Sequence, residues 1–105
     1  MIVDETADLA AAAEKIRASK CFDNATSCSS ENAAVVVDAI YDAFVDAMAG
    51  AGGAVVQDEA GIVGKLWPGG HLNRAVIAQD ADKMIAALDL DVPEGTDYIL
   101  SLIHI

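Results

Sequence analysis

The chain has 105 residues, enough for one domain near the lower limit at which a hydrophobic core sustains itself. Hydrophobic residues make up 54% of it, which is globular rather than disordered, but alanine supplies much of that share and only two phenylalanines, two tyrosines and one tryptophan are present. A formal charge of −11, from 17 acidic against 6 basic residues, makes phosphate backbones and anionic lipid poor partners, so neither nucleic acid nor a membrane surface is expected.

No apolar run approaches the roughly 18 residues that span a bilayer. The opening M-I-V-D-E-T is acidic and has no basic or long apolar region of the kind that directs export, so a cytoplasmic protein is expected. Cys21 and Cys28 are then expected as thiols rather than a disulfide. Neither His71 nor His104 stands at zinc-ligand spacing from them, and no metal site is expected.

Ile2 and Val3 read as the end of a strand. Asp4, Glu5, Thr6 and Asp8 offer caps for a helix from Leu9 to Ser19, with Leu9, Ala12, Ala13 and Ile16 on its inner face. Lys15, Arg17 and Lys20 lie toward its C-terminal end, where the helix dipole favours cations. Phe22 to Glu31 has no period and is rich in loop formers. Ala33 to Val37 is apolar and continuous, as suits a strand buried on both faces. Asp38 is placed to cap a helix from Ala39 to about Ala49, with Ile40, Phe44, Val45 and Met48 in one stripe, ended by Gly50, Gly52 and Gly53.

Ala54 to Gln57 is a short strand, Asp58 to about Leu66 a short helix, and Trp67 to Gly70 a turn. Arg74 to Gln79 reads as extended and Asp80 to Leu88 as a helix with Ala81, Met84, Ile85 and Leu88 inward. A second turn covers Asp91 to Gly95, and a strand begins at Tyr98. Helices alternating with short buried strands predict an α/β fold with a parallel layer.

The stretch richest in chemistry is K-C-F-D-N-A-T-S-C-S-S-E-N, Lys20 to Asn32. Ser27, Ser29 and Ser30 leave room for a substrate beside Cys28, and loop N–H groups could receive a developing oxyanion. Against that, a free thiol with a pKa of roughly 8.5 is mostly protonated at neutral pH, and no basic residue lies within seven positions of Cys28. On residues alone Cys28 is either a nucleophile or an incidental loop thiol. Cys21, after a helix and beside Phe22, suits packing. Glu31 is a candidate base or a loop carboxylate bonded to amides, and His71 in G-G-H-L-N a candidate ligand contact or a surface residue. Gly50, Gly52 and Gly53 follow a helix rather than a strand, so the dinucleotide fingerprint fails.

With the following A-A-V-V-V-D-A-I-Y-D-A-F, that stretch resembles the active-site segment of the aldehyde dehydrogenase superfamily, and within it the coenzyme A-acylating branch. There F-D-N-x-x-x-C-x-S-E precedes a valine-rich strand and an I-Y-D helix. The upstream V-D-E-T-A-D-L-A-A-A-A-E-K-I and the downstream L-N-R-A-V-I-A-Q also fit, so the resemblance spans roughly residues 2 to 99. N-A-T-S-C-S-S-E-N is similar to the acylating sulfoacetaldehyde dehydrogenases.

The resemblance implies that Cys28 is the catalytic nucleophile, acting on a small aldehyde with NAD or NADP as hydride acceptor and coenzyme A as acyl acceptor. It also implies a homo-oligomer several times this length, of which residues 1–99 are an internal part of the catalytic, cysteine-containing domain. The nucleotide site and the upstream oxyanion asparagine would lie elsewhere. Cys21 departs from the threonine expected in K-T-F-D-N. Two other readings stay open: a non-acylating aldehyde dehydrogenase that releases a carboxylic acid, and a small acidic interaction module without catalysis. The module is the weaker, since no D-S-L-type attachment serine heads a helix.

Leu100 to Ile105 matches what a common transposon-based sequencing adapter encodes in one frame, so residues 100–105 are expected to be read-through, and His104 carries no functional argument. Resequencing the parent gene should show the natural frame departing from this chain near Ile99; the same hexapeptide followed by continuous homologous sequence would refute that expectation.

Overall fold

The computed structural model describes residues 1–102 as four helices and four short strands. Strand β1 (Ile2–Val3) leads into helix α1 (Leu9–Cys21), whose cap is Asp8: the side chain accepts from the Ala11 N–H at 3.0 Å. Strand β2 (Val35–Val36) precedes helix α2 (Tyr41–Gly50) and strand β3 (Gly53–Val56). Helix α3 (Glu59–Leu66), capped by Asp58, and helix α4 (Ala81–Leu88) follow, and strand β4 (Tyr98–Ser101) closes the order. Both strand pairings are parallel, β1 with β2 and β3 with β4, each joined through helices. This is the expected α/β arrangement, although its parallel strands form two separate ladders rather than one layer. Among the described residues no helix is long and apolar enough to cross a membrane.

The core lies where α1 and α2 pack over the strands. Val3, Ala13, Ile16, Phe44, Met48 and Tyr98 are its buried centre. The inward faces read from spacing hold: Ala13 and Ile16 are the buried residues of α1, Phe44 and Met48 those of α2, and Leu88 that of α4. Tyr98 joins three elements. Its hydroxyl donates to the Met48 carbonyl at 2.8 Å, and a Cβ on Gly53 would fall 2.7 Å from its ring. Only glycine lets β3 approach that closely.

Four expectations are corrected. The Ala33–Val37 strand shrinks to Val35–Val36 and is not buried on both faces, since Val35 is 63% exposed. A two-stranded ladder has nothing from the described residues to cover its far side. Asp38 does not cap a helix; it opens a tight turn, Asp38–Ile40, and α2 begins without a side-chain cap. Arg74 to Gln79 is not extended, because Asn73 accepts from the Ala75 N–H at 3.0 Å and folds Arg74–Val76 into a 3₁₀ turn. Cys21 ends α1 exposed rather than packed, and Phe22 beside it is 68% exposed. Leu100 and Ser101 continue β4, but ladder pairing uses backbone groups that any sequence supplies, so this does not bear on their origin. His104 lies outside the described residues.

Tyr98→Phe should destabilise the chain by about 1 kcal/mol in urea unfolding, because the buried bond to the Met48 carbonyl is lost and that oxygen keeps only the Ala51 N–H at 3.2 Å. Burial also holds the Tyr98 hydroxyl above the ordinary tyrosine range. The fold therefore favours its protonated form, a stabilisation complete below about pH 10 and lost as pH rises through the folded value. The wild-type unfolding midpoint should fall more steeply than that of Tyr98→Phe between about pH 9 and about pH 11.

Candidate active site

The loop after α1 departs from helical geometry abruptly. Asp23, Asn24 and Ala25 all take left-handed backbone, at φ 48°, 51° and 58°. Asp and Asn tolerate that conformation, whereas Ala adopts it at a cost of roughly 1–2 kcal/mol. Thr26 then closes the bend. Its N–H donates to the Asp23 carbonyl at 3.1 Å, and its hydroxyl lies within 2.8 Å of both that carbonyl and the Asp23 carboxylate. A second turn follows at once, in which the Ser30 N–H donates to the Ser27 carbonyl at 3.2 Å and the Ser27 and Ser29 hydroxyls sit 2.9 Å apart.

Cys28 occupies the crest of that second turn, exposed and as a free thiol. Among the described residues its N–H has no hydrogen-bond acceptor. The exit of the loop is stitched to α1: Lys20 Nζ donates to Asn32 Oδ1 at 3.2 Å, and the Ser19 hydroxyl donates to Glu31. That bond, with a lesser one from the Glu31 N–H, holds the carboxyl below the usual carboxylate range. Glu31 is thus a weakened base, although among the described residues its Oε2 is buried with no partner. At the entrance, the Asn24 side-chain amide donates to the Ala78 carbonyl at 3.3 Å.

Below the loop lies a cleft of about 450 Å³, walled by the end of α1, the start of α4 and the approach to β4. Arg17, Cys21, Asn24, Gln79, Met84 and Tyr98 face it; Cys28 does not. Cys21 Sγ lies 3.7 Å from the Asp97 carbonyl, and partial burial, with the Asp97 charge adding to it, pushes this thiol up. Arg17 is engaged with Asp97 at 2.9 Å and Glu14 at 3.1 Å. His71 is exposed after the Pro68–Gly70 turn, away from this cleft. Gly50 closes α2 and Gly53 opens β3, helix before strand, so the glycines form no phosphate-binding turn. Among the described residues no group of three or more His, Cys, Asp or Glu could hold a metal ion.

The sequence pointed to Cys28 but not to its supports. Asn24 and Asp97 carried no visible signal, because their partners, Ala78 and Arg17, are 54 and 80 residues away along the chain.

No protein-family model matches the chain. It is 42% identical over 106 residues to a sulfoacetaldehyde dehydrogenase (acylating) of Bilophila wadsworthia, covering 94% of this chain and 23% of that one. A second such enzyme, from Cupriavidus necator, is 40% identical over 92 residues, covering 86% of this chain and 19% of that one. Among solved structures, a propionaldehyde dehydrogenase from a fucose-utilisation bacterial microcompartment of Clostridium phytofermentans superposes with a TM-score of 0.84 at 30% identity, covering 95% of this chain and 24% of that one. The chain therefore spans less than a quarter of the length of these relatives. In sequence and in fold it is related to acylating aldehyde dehydrogenases.

Near neutral pH, iodoacetamide should alkylate Cys28 several-fold faster than Cys21, since only the thiolate reacts and Cys21 is held protonated. Asp97→Asn should narrow that gap by quickening Cys21. Site-resolved mass spectrometry over a time course measures both rates.

Proposed function

We propose that residues 1–99 are part of the catalytic domain of an acylating aldehyde dehydrogenase and that Cys28 is its nucleophile. The observation that carries this reading is the presentation of Cys28: a free thiol on the crest of a turn, flanked by two small hydroxyl side chains and with its own N–H unengaged. Aldehydes named by the relatives, including sulfoacetaldehyde, indicate a small aldehyde as substrate.

The thiolate of Cys28 adds to the aldehyde carbon, forming a C–S bond and moving the carbonyl electron pair onto oxygen. The Cys28 N–H is free to donate to that oxyanion, the position from which backbone amides stabilise acyl-transfer intermediates most effectively. Ser27 and Ser29 keep the approach open while their mutual hydrogen bond limits competition for the incoming oxygen. A nicotinamide nucleotide would supply the hydride acceptor and coenzyme A the acyl acceptor; the role of this chain would be to carry the acyl group on the Cys28 sulfur. The glycines at 50–53 stand in helix-to-strand order and do not form a dinucleotide-binding turn. In this proposal both cofactors are held by parts of the enzyme outside the 105 residues.

In the full-length enzyme carrying this segment, Cys28→Ala should lower aldehyde-dependent NAD(P)H formation by at least about a thousandfold. Cys21→Ser should retain most activity. Formation that requires coenzyme A supports thioester transfer; equal rates with water alone would identify a hydrolytic enzyme instead. The 105-residue chain by itself should show no turnover, and reduction of NAD by the purified chain with aldehyde and coenzyme A would contradict the assignment of both cofactor sites to other parts of the enzyme.

A further inference from the structure

Two left-handed backbone sites are joined by a hydrogen bond beside the cleft. Asn24, at φ 51°, is the middle of the run Asp23–Ala25, and Ala78 adopts φ 53° at the end of the segment before α4. The Asn24 amide bridges them, donating to the Ala78 carbonyl at 3.3 Å. Such conformations persist in non-glycine residues only where the surroundings over-determine them. The segment from Asp23 to Cys28 is otherwise held by bonds internal to the loop, among Asp23, Thr26, Ser27, Ser29 and Ser30. Among the described residues, the Asn24 bond is the one hydrogen bond tying the entrance of the loop to a distant part of the chain.

We infer that Asn24 is a positioning residue: its side-chain amide anchors the nucleophile loop to the Ala78 carbonyl and thereby fixes where Cys28 stands. This rests on the reading of Cys28 as nucleophile. Without the anchor, the three residues between Asn24 and Cys28 can swing as a unit on the end of α1. Displacement of a nucleophile by about 1 Å costs on the order of a hundredfold in rate.

Two variants separate this role from a backbone preference, since Asn also suits left-handed φ by itself. Asn24→Gly keeps that conformation at no steric cost but removes the amide. Asn24→Asp keeps size and polarity but offers the Ala78 carbonyl no donor at neutral pH. In the full-length enzyme, both should lower kcat by roughly 10- to 100-fold with KM for aldehyde and coenzyme A changed by less than about threefold. Both should also change the alkylation rate of Cys28 relative to Cys21 in the same samples, with an unfolding midpoint near wild type. Wild-type kcat and an unchanged Cys28 to Cys21 ratio in Asn24→Gly would overturn the inference and leave Asn24 as a backbone choice alone. If either variant loses structure, Asn24→Ser takes its place: its shorter side chain cannot span the bond and should reproduce the loss. The Cys28→Ala control distinguishes the two levels: full activity there refutes the nucleophile, whereas the alkylation ratio tests the anchor independently of catalysis.

Discussion

The buried Tyr98 is the interaction on which the rest depends. Its ring lies against Gly53, its hydroxyl reaches the end of α2 at Met48, and it shares the core with Ala13 and Ile16 of α1. One side chain thus connects β3, β4 and both large helices. The residue before it, Asp97, pairs with Arg17 and accepts weakly from Cys21 through its carbonyl, so the last two turns of α1 are registered against β4. An exposed ion pair of this kind contributes at most about 1 kcal/mol, so the register comes chiefly from packing. Where α1 ends is where the cysteine loop begins.

The loop itself holds its shape by short-range bonds among small polar residues, at the expense of backbone strain. Three consecutive left-handed residues reverse the chain within one helical turn's length, and Thr26 and Ser27 each re-anchor it within three residues. Among the described residues, this local construction leaves the Cys28 thiol free and exposed and its N–H without an acceptor. Cys28 does not line the cleft described above, which Cys21 faces at the end of α1.

Much of the architecture was legible because it follows from periodicity and caps. The inner stripes of α1, α2 and α4, the Asp8 cap, and the start of β4 at Tyr98 are all statements about neighbours three or four residues apart. The errors share one cause. A continuous apolar run at Ala33–Val37 predicts burial only if a second layer exists to bury it, and extended propensity at Arg74–Gln79 loses to one side-chain bond from Asn73.

By itself, the sequence determined the α/β order, the helix faces and the candidacy of Cys28, since each rests on residue type and local spacing. Only the tertiary structure decided which cysteine faces the cleft, that Glu31 is engaged with Ser19, and that Asn24 meets Ala78. Those facts depend on contacts between residues 12 to 80 positions apart, whose pairing is set by how helices pack over strands rather than by any local pattern.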